Sequence, residues 1–408
     1  MQNEVMAGYQ NELLVRPTIR VSTILFTLYL TLLPISTALS GLFFGPSIQS
    51  VIAILFIAVS AVERIISGRV EIDRSLIPVY VFFLYSVASV LWNPAFKMDW
   101  DFQQFFISFA LFIMISLRGI NRAEKRIYMM ALYMSLIVAI TAAAFNLPLV
   151  EHRLYVRITS TMDPNDFACG LSVVFAMCLT DLKGRKRMIL NILCIMVTLI
   201  IVFLTGSRGG MLVFMAMTAV WIFSIPGVFK YKILIPVIFA VAALLVCAEI
   251  GVGGGALSRL SVSALISGGG TGRAGIWAEG IRSYLGFDLP HMLFGNGLTG
   301  YSDATRYVAD GYVSVYMAHN MFLNELVEGG IVGITLMAAA FISLYRYAIA
   351  HRNLIGVLVV TGFLVEGISL DCQFYRIFGV VMAFCVIGNG ILDNSVYKGV
   401  TDADVKHS

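Results

Sequence analysis

Charge is scarce in this sequence. Only 13% of its 408 residues are charged, against 59% hydrophobic, and the mean hydropathy is +0.87. Soluble domains carry about 25% charged residues. A water-soluble globular protein is thereby excluded, because a chain of this length cannot bury so much apolar side chain. The 6 cysteines, at 169, 178, 194, 247, 372 and 385, form no CxxC pair, and none stands near a histidine at metal-ligand spacing. Buried, inert thiols are expected rather than a zinc site or a disulfide framework. No GxxxxGK[ST] stretch is present, so the glycine tracts at 253–255 and 268–270 are not read as a nucleotide site. The N-terminus lacks the layout of a short cleaved signal: about twenty mostly polar residues precede an apolar run long enough to stay as an anchor. There is no visible internal repeat or second domain, and no nucleic-acid partner is expected.

Long apolar runs, by contrast, recur along the whole chain, and runs of 18 or more such residues are the signature of spanning helices. The windows fall at roughly 21–43, 47–66, 75–92, 102–118, 126–146, 164–182, 186–205, 210–226, 231–250, 319–345, 353–370 and 373–391. The expected fold is therefore all-α: a polytopic integral membrane protein of about 12 transmembrane helices, with 1–408 forming a single transmembrane domain. One connection, 251–318 between spans nine and ten, is far longer than the rest, and loops of that length are usually functional. Within it Ile276, Trp277, Gly280, Ile281 and Tyr284 recur at three-to-four spacing, which predicts a short amphipathic helix lying on the bundle.

Most of the 28 Lys+Arg fall on alternate connections, among them Arg64, Arg118, Arg122, Lys125, Arg126 and Arg187. The positive-inside rule puts those connections, and both termini, in the cytoplasm. Arg153, Arg157, Arg208, Arg273 and Arg376 then face outward against the bias, so each needs a reason of its own.

In this topology every even-numbered span starts at the outer face. Helix N-termini there carry free N–H groups and partial positive charge, which suits anions. Three of these starts hold polar punctuation. Asp163-Pro-Asn-Asp166 reads as an N-cap with proline in the first turn, and Asn165 and Asp166 exceed what a cap requires. Thr205-Gly-Ser-Arg-Gly-Gly210 sets Ser207 and Arg208 among glycines that let backbone approach a ligand; headgroup snorkelling would place an arginine here but does not call for the glycines. His319 and Asn320 open the tenth span, where a helix N-terminus disfavours imidazolium and keeps the ring able to accept a proton. Arg273 likewise follows a glycine at the start of the loop helix, and two arginines on separate outer elements suit a diphosphate. Asn320, Asn324 and Glu328 share one helix face, with Glu328 deep enough to be held by helix contacts. Glu366, Asp371 and Arg376 surround the last outer turn, near enough in sequence to pair with one another.

Together, Arg157-Ile-Thr-Ser-Thr-Met-Asp-Pro-Asn-Asp166, Thr205-Gly-Ser-Arg-Gly209, Gly272-Arg-Ala-Gly-Ile-Trp277, Gly295-Asn-Gly297, Ala318-His-Asn-Met-Phe-Leu323 and Gly329-Gly-Ile-Val-Gly333 resemble the motifs of the O-antigen ligase and polymerase superfamily. The resemblance runs from about 157 to 333. It implies a metal-independent inverting glycosyltransferase, using no cofactor, that moves a glycan from undecaprenyl diphosphate to an acceptor hydroxyl. His319 matches the family's essential histidine, and Arg208 and Arg273 match its diphosphate-contacting arginines. Arg157, Asn165, Asp166, Ser207 and Asn320 are further candidates for substrate contact. The implied setting is the bacterial cytoplasmic (inner) membrane with an extracytoplasmic site. The implied partners are the carrier-linked donor, a glycan or lipid A-core acceptor, the bilayer, a polysaccharide flippase and a chain-length regulator.

Two alternatives stay open. In the loop 251–318, Arg259, Arg273, Arg282 and Arg306 balance Glu279, Asp288, Asp303 and Asp310, leaving no surplus charge to attract an anionic acceptor. That leans toward a repeat-unit polymerase over a ligase acting on lipid A-core. A transporter or flippase of lipid-linked sugars is the more distant class, disfavoured by the unmatched halves and by charges gathered at the outer edge. The transferase expectation requires Arg208, Arg273 and His319 to converge on one outer cavity.

Overall fold

The structure is a computed structural model and describes residues 19–40, 47–68, 72–147, 149–150, 153–181, 185–224, 273–305, 307–309, 312–314 and 317–388. The expected span at 231–250, both glycine tracts, Arg259, Arg306, Asp310 and the termini lie outside these residues.

The chain is mostly helical with few strands. In order come α1 (Val21–Thr31), α2 (Ile48–Ser67), α3 (Ile77–Ala88), α4 (Trp100–Ser116) and α5 (Arg122–Phe145). A small hairpin of β1 (Val156–Arg157) and β2 (Thr161–Met162) follows. Then come α6 (Pro164–Gly170), α7 (Ser172–Thr180), α8 (Arg185–Thr205) and α9 (Arg208–Ser224). The described part of the long connection holds α10 (Arg273–Leu285), α11 (Leu289–Phe294), α12 (Tyr301–Ala304) and the paired strands β3 (Tyr307–Ala309) and β4 (Tyr312–Ser314). The last elements are α13 (Met321–Ala350), α14 (Leu354–Glu366) and α15 (Ile377–Ile387). Among the described residues, five helical stretches are long and apolar enough to cross a membrane: Ile48–Ser67, Arg74–Trp92, Arg122–Phe145, Arg185–Thr205 and Met321–Ala350. Six shorter apolar helices of 10–17 residues accompany them, one of them Pro164–Thr180, in which Leu171 joins α6 to α7.

Polar residues start the helices by capping free amides. Ser47 accepts from Ser50 N, Asp99 from Phe102 N and Asn353 from Gly356 N, and Asn121 forms a reciprocal capping box with Glu124. Outward faces are apolar, as expected where lipid is the solvent: Ile189, Leu190, Ile192, Leu193, Met196 and Ile200 are exposed along α8. The interior is aromatic, with Phe363 stacked on Phe378 (centroids 5.0 Å apart) and Phe109 edge-on to it (5.2 Å).

Two buried arginines mark the two ends of the bundle. At one end Arg118 donates to Ser22 and Thr23 of α1 and pairs with Glu124. At the other end Arg376 donates from Nη1 to Ser36 O (2.6 Å), from Nε to Gln104 Oε1 (2.9 Å) and from Nη2 to Ser50 Oγ (3.2 Å), and lies 4.7 Å from the Trp100 ring centroid. Arg376 thus ties the start of α15 to α4, to α2 and to the turn after α1.

The long α13 is broken at Gly330, whose φ of 65° and ψ of −164° belong to no helix. The carbonyls freed just before the break are taken by the loop. Asn296 N donates to Val327 O (2.9 Å), Gly297 N donates to Glu328 O (2.8 Å), and Tyr85 Oη donates to Gly329 O (2.6 Å). A Cβ on Gly330 would collide with the backbone of Leu293 and Gly295, so the Gly295-Asn-Gly297 and Gly329-Gly330 motifs interlock.

Candidate functional site

The starts of α6, α9 and α13 and the turn between α14 and α15 gather at the Arg376 end. The turn carries Asp371, which grips the start of α13: His319 N donates to Asp371 Oδ2 (2.8 Å) and Asn320 N to Asp371 Oδ1 (3.1 Å). Met321 N is bound to Gly367 O (2.7 Å), and Asn320 Oδ1 caps the helix by accepting from Phe322 N and Leu323 N (both 3.0 Å). His319 itself has φ +47°, a left-handed conformation unusual for a residue with a side chain. The two bonds to Asp371 on adjacent amides hold it there, and strained backbone of this kind clusters at functional sites.

The imidazole is 39% exposed, and its Nδ1 lies 3.9 Å from Asp371 Oδ2, too far for a hydrogen bond. Burial lowers its pKa below the ordinary value, and the Arg273 guanidinium lowers it further. Arg273 is therefore within electrostatic reach of His319. Its position follows from α10, where Ile276, Gly280 and Tyr284 form the buried stripe. One turn after Arg273, Trp277 Nε1 donates to Ala318 O (2.9 Å), bonding the loop helix to the residue before His319. Asp371, buried beneath this group, has its pKa pushed up to about 7 by that burial.

Arg208 opens α9 and is half-buried. The surrounding glycines, expected to admit a ligand, instead admit other helices. Gly206 turns the chain at φ +60°. A Cβ at Gly209 would lie 2.5 Å from Ser369 Oγ and 3.3 Å from Glu366 Oε1, and one at Gly210 would lie 2.8 Å from Ala168 Cβ. Close packing of α9 on α14 and α6 is what requires them. Ser207 is fully buried and its Oγ accepts from Gly210 N (3.0 Å), capping α9. Beside Gly209, Glu366 is buried with neither carboxyl oxygen hydrogen-bonded among the described residues.

The other candidates sit around this group in different ways. Asp163 caps α6 by accepting from Asn165 N (2.7 Å). Asn165 Oδ1 also accepts from Arg153 Nη2 (3.3 Å), and Arg153 Nε donates to Thr205 O (2.9 Å) just before Arg208. Asp166 is hydrogen-bonded to Tyr375. Arg157 is exposed on the β1–β2 hairpin and has no hydrogen bond or ion pair with the other candidates among the described residues. Glu366, Asp371 and Arg376 do not pair with one another: Asp371 binds the amides of α13, Arg376 binds α2, α4 and the turn after α1, and Glu366 stands alone. The sequence suggested only pairing with Glu366 and Arg376 for Asp371, whereas it accepts from the amides of His319 and Asn320.

A small cavity of about 70 Å3 at this end is lined by Trp100, Gln104, Asp166, Tyr375 and Arg376, not by Arg208, Arg273 or His319. A larger cavity, about 2040 Å3, lies at the other end. Neither cavity is the shared opening expected for Arg208, Arg273 and His319; Arg273 is within electrostatic reach of His319 and Asp371, and Arg208 opens α9.

These features define a helical membrane protein with a cationic, histidine-bearing cluster at one end of its bundle. Residues 192–338, a little over a third of the chain, match the family model described as O-Antigen ligase, so this stretch is similar to that family. The matched stretch includes Arg208, Arg273 and His319. A search of curated proteins finds no match.

Proposed function

We propose that the protein is a glycosyltransferase of the bacterial inner membrane that transfers a glycan from undecaprenyl diphosphate to an acceptor hydroxyl at the outer face. About twelve spans, with both termini cytoplasmic, would carry it. The observation that supports this reading best is that a loop helix bonded to Ala318 holds Arg273 within electrostatic reach of His319. A histidine kept neutral beside a guanidinium is suited to accept a proton while an anion sits close by.

In the reaction His319 takes the acceptor hydroxyl proton as that oxygen attacks the anomeric carbon, an assistance worth about 10²–10⁴-fold. The bond from the anomeric carbon to the phosphate oxygen breaks, and the electrons leave on the carrier diphosphate. Arg208 and Arg273, with the amides at the start of α9, stabilise that growing charge. Attack opposite the leaving group inverts the anomeric centre. Asp371 serves by fixing the backbone of His319.

Among acceptors, a second carrier-bound glycan is favoured, making the enzyme a repeat-unit polymerase, because the connection 251–318 has no surplus charge for an anionic core lipid. Incubating purified protein with a carrier-linked repeat unit, with and without lipid A-core, tests both levels. A ladder without core lipid supports polymerase, and product only with core lipid makes it a ligase. Labelled substrate that crosses vesicles unchanged, with no product in either arm, would overturn glycan transfer altogether.

A further inference from the structure

The cavity of about 2040 Å3 opens at the end of the bundle opposite His319, among the ends of α1, α2, α4, α5 and α8. The basic connections that set orientation in the sequence here fold into one vestibule. Arg20, Arg118, Arg122, Lys125, Arg126 and Arg187 line it, against Glu63, Asp73 and Asp181. Some of this charge is neutralised within the protein: Arg118 pairs with Glu124, and Arg187 lies 3.8 Å from Asp181. Arg122 and Arg126 are exposed on successive turns of α5 and have no ion pair among the described residues. Arg118 is only 3% exposed, and its Nε–H has no acceptor among the described residues, a buried donor left open beside the cavity.

Part of the remaining wall is apolar. Ile66, Met130 and Leu190 line the same space and are 80%, 65% and 49% exposed. A cationic rim above an apolar wall matches an amphiphile. A phosphate meets the guanidinium groups while an acyl chain covers the isoleucine, methionine and leucine side chains. Free phosphate satisfies only the rim, and an acidic soluble protein leaves the apolar wall facing lipid.

We propose that this vestibule binds the headgroup of an anionic phospholipid from the adjoining leaflet, with an acyl chain along the α2, α5 and α8 wall. The site is separate from the glycan-transfer cluster and does not depend on that reading. Each basic residue near an anionic surface strengthens binding about fivefold, so removing two weakens it about 25-fold.

The test uses the full chain in detergent, titrated with phosphatidylglycerol, with phosphatidylcholine or with inorganic phosphate. Bound lipid is counted by native mass spectrometry and the unfolding temperature is recorded. Phosphatidylglycerol is expected to be retained and to raise the unfolding temperature, while phosphatidylcholine does neither. The double variant Arg122→Gln/Arg126→Gln is expected to lose about 25-fold in phosphatidylglycerol affinity. Both side chains are exposed, so the fold survives, and Arg122→Lys/Arg126→Lys keeps most of the binding. Equal retention of the two lipids, unchanged affinity in the Gln variant, or equal stabilisation by inorganic phosphate overturns the proposal.

Discussion

His319 carries the most specific consequences at the scale of single residues. Replacing it with alanine should lower glycan transfer by about 10²–10⁴-fold while membrane insertion is unchanged, measured as product formed by equal amounts of folded protein. The pH dependence follows from its surroundings. Burial and Arg273 both hold the imidazole below its ordinary pKa, so it stays unprotonated further into acid than a free histidine. The acid limb of kcat against pH should therefore fall below about 6.5. Removing the neighbouring cation favours imidazolium, so Arg273→Gln should move that limb upward as well as reduce the rate. A limb that stays in place would separate Arg273 from His319. Asp371→Ala leaves two amides without acceptors and releases the left-handed backbone at 319, at a loss of about 1–3 kcal/mol for each buried orphan. Its kcat should drop more than its KM changes, since the histidine is misplaced rather than lost.

Much at this scale was legible in advance, and what was not has a physical cause. Arg208, Arg273 and His319 stood out because charge is rare and each begins a helix at a polar boundary. The actual partners of Asp371 and of the Trp277 indole were not legible, since their bonds join residues 52 and 41 positions apart. The glycines beside Arg208 misled in the other direction. They were expected to let backbone approach a ligand, and the groups that come close to Gly209 and Gly210 are Ser369, Glu366 and Ala168. Periodicity tells that a helix is packed closely and says nothing of what packs on it.

Among elements, α10 and α13 decide how the loop meets the bundle. Trp277→Phe keeps the apolar contact and deletes one hydrogen bond to Ala318 O, a loss of about 0.5–1.5 kcal/mol. Transfer activity should fall several-fold with thermal unfolding nearly unchanged, because the bond locates the loop helix rather than a span. Gly330→Ala acts the opposite way. A side chain at φ +65° is disfavoured by about 1–2 kcal/mol, and the new methyl meets backbone atoms of Leu293 and Gly295 that cannot rotate aside. Unfolding temperature and folded yield should both fall. The apolar runs gave the helices here, but not the break in α13, whose two glycines fit an uninterrupted hydrophobic window equally well.

For the whole molecule, the arginines expected to face outward against the charge bias find two kinds of use. Arg273 stays near the surface, beside His319. Arg376 is 5% exposed and joins α2, α4, the turn after α1 and the start of α15. Arg376→Met should destabilise the bundle by about 3–5 kcal/mol, because the carbonyl and amide groups around it lose their donor in a site closed to water. Unfolding in mixed detergent would measure the change. Arg118 plays the matching part at the opposite end, so each rim of the bundle is tied by one buried guanidinium.

The interruption at Gly330 also separates two mechanical duties. Residues 321–329 are latched sideways to the loop and to Tyr85, whereas 331–350 continue as a regular helix with one face buried against its neighbours, at Met337, Phe341 and Leu344, and the other exposed, at Ile331, Ile342 and Ile349. The two parts are therefore anchored by different means, the first by bonds from Asn296, Gly297 and Tyr85 to its carbonyls, the second by the packing of its side chains. Thinning or thickening the bilayer would load the second part before it reached the bonds that seat the first.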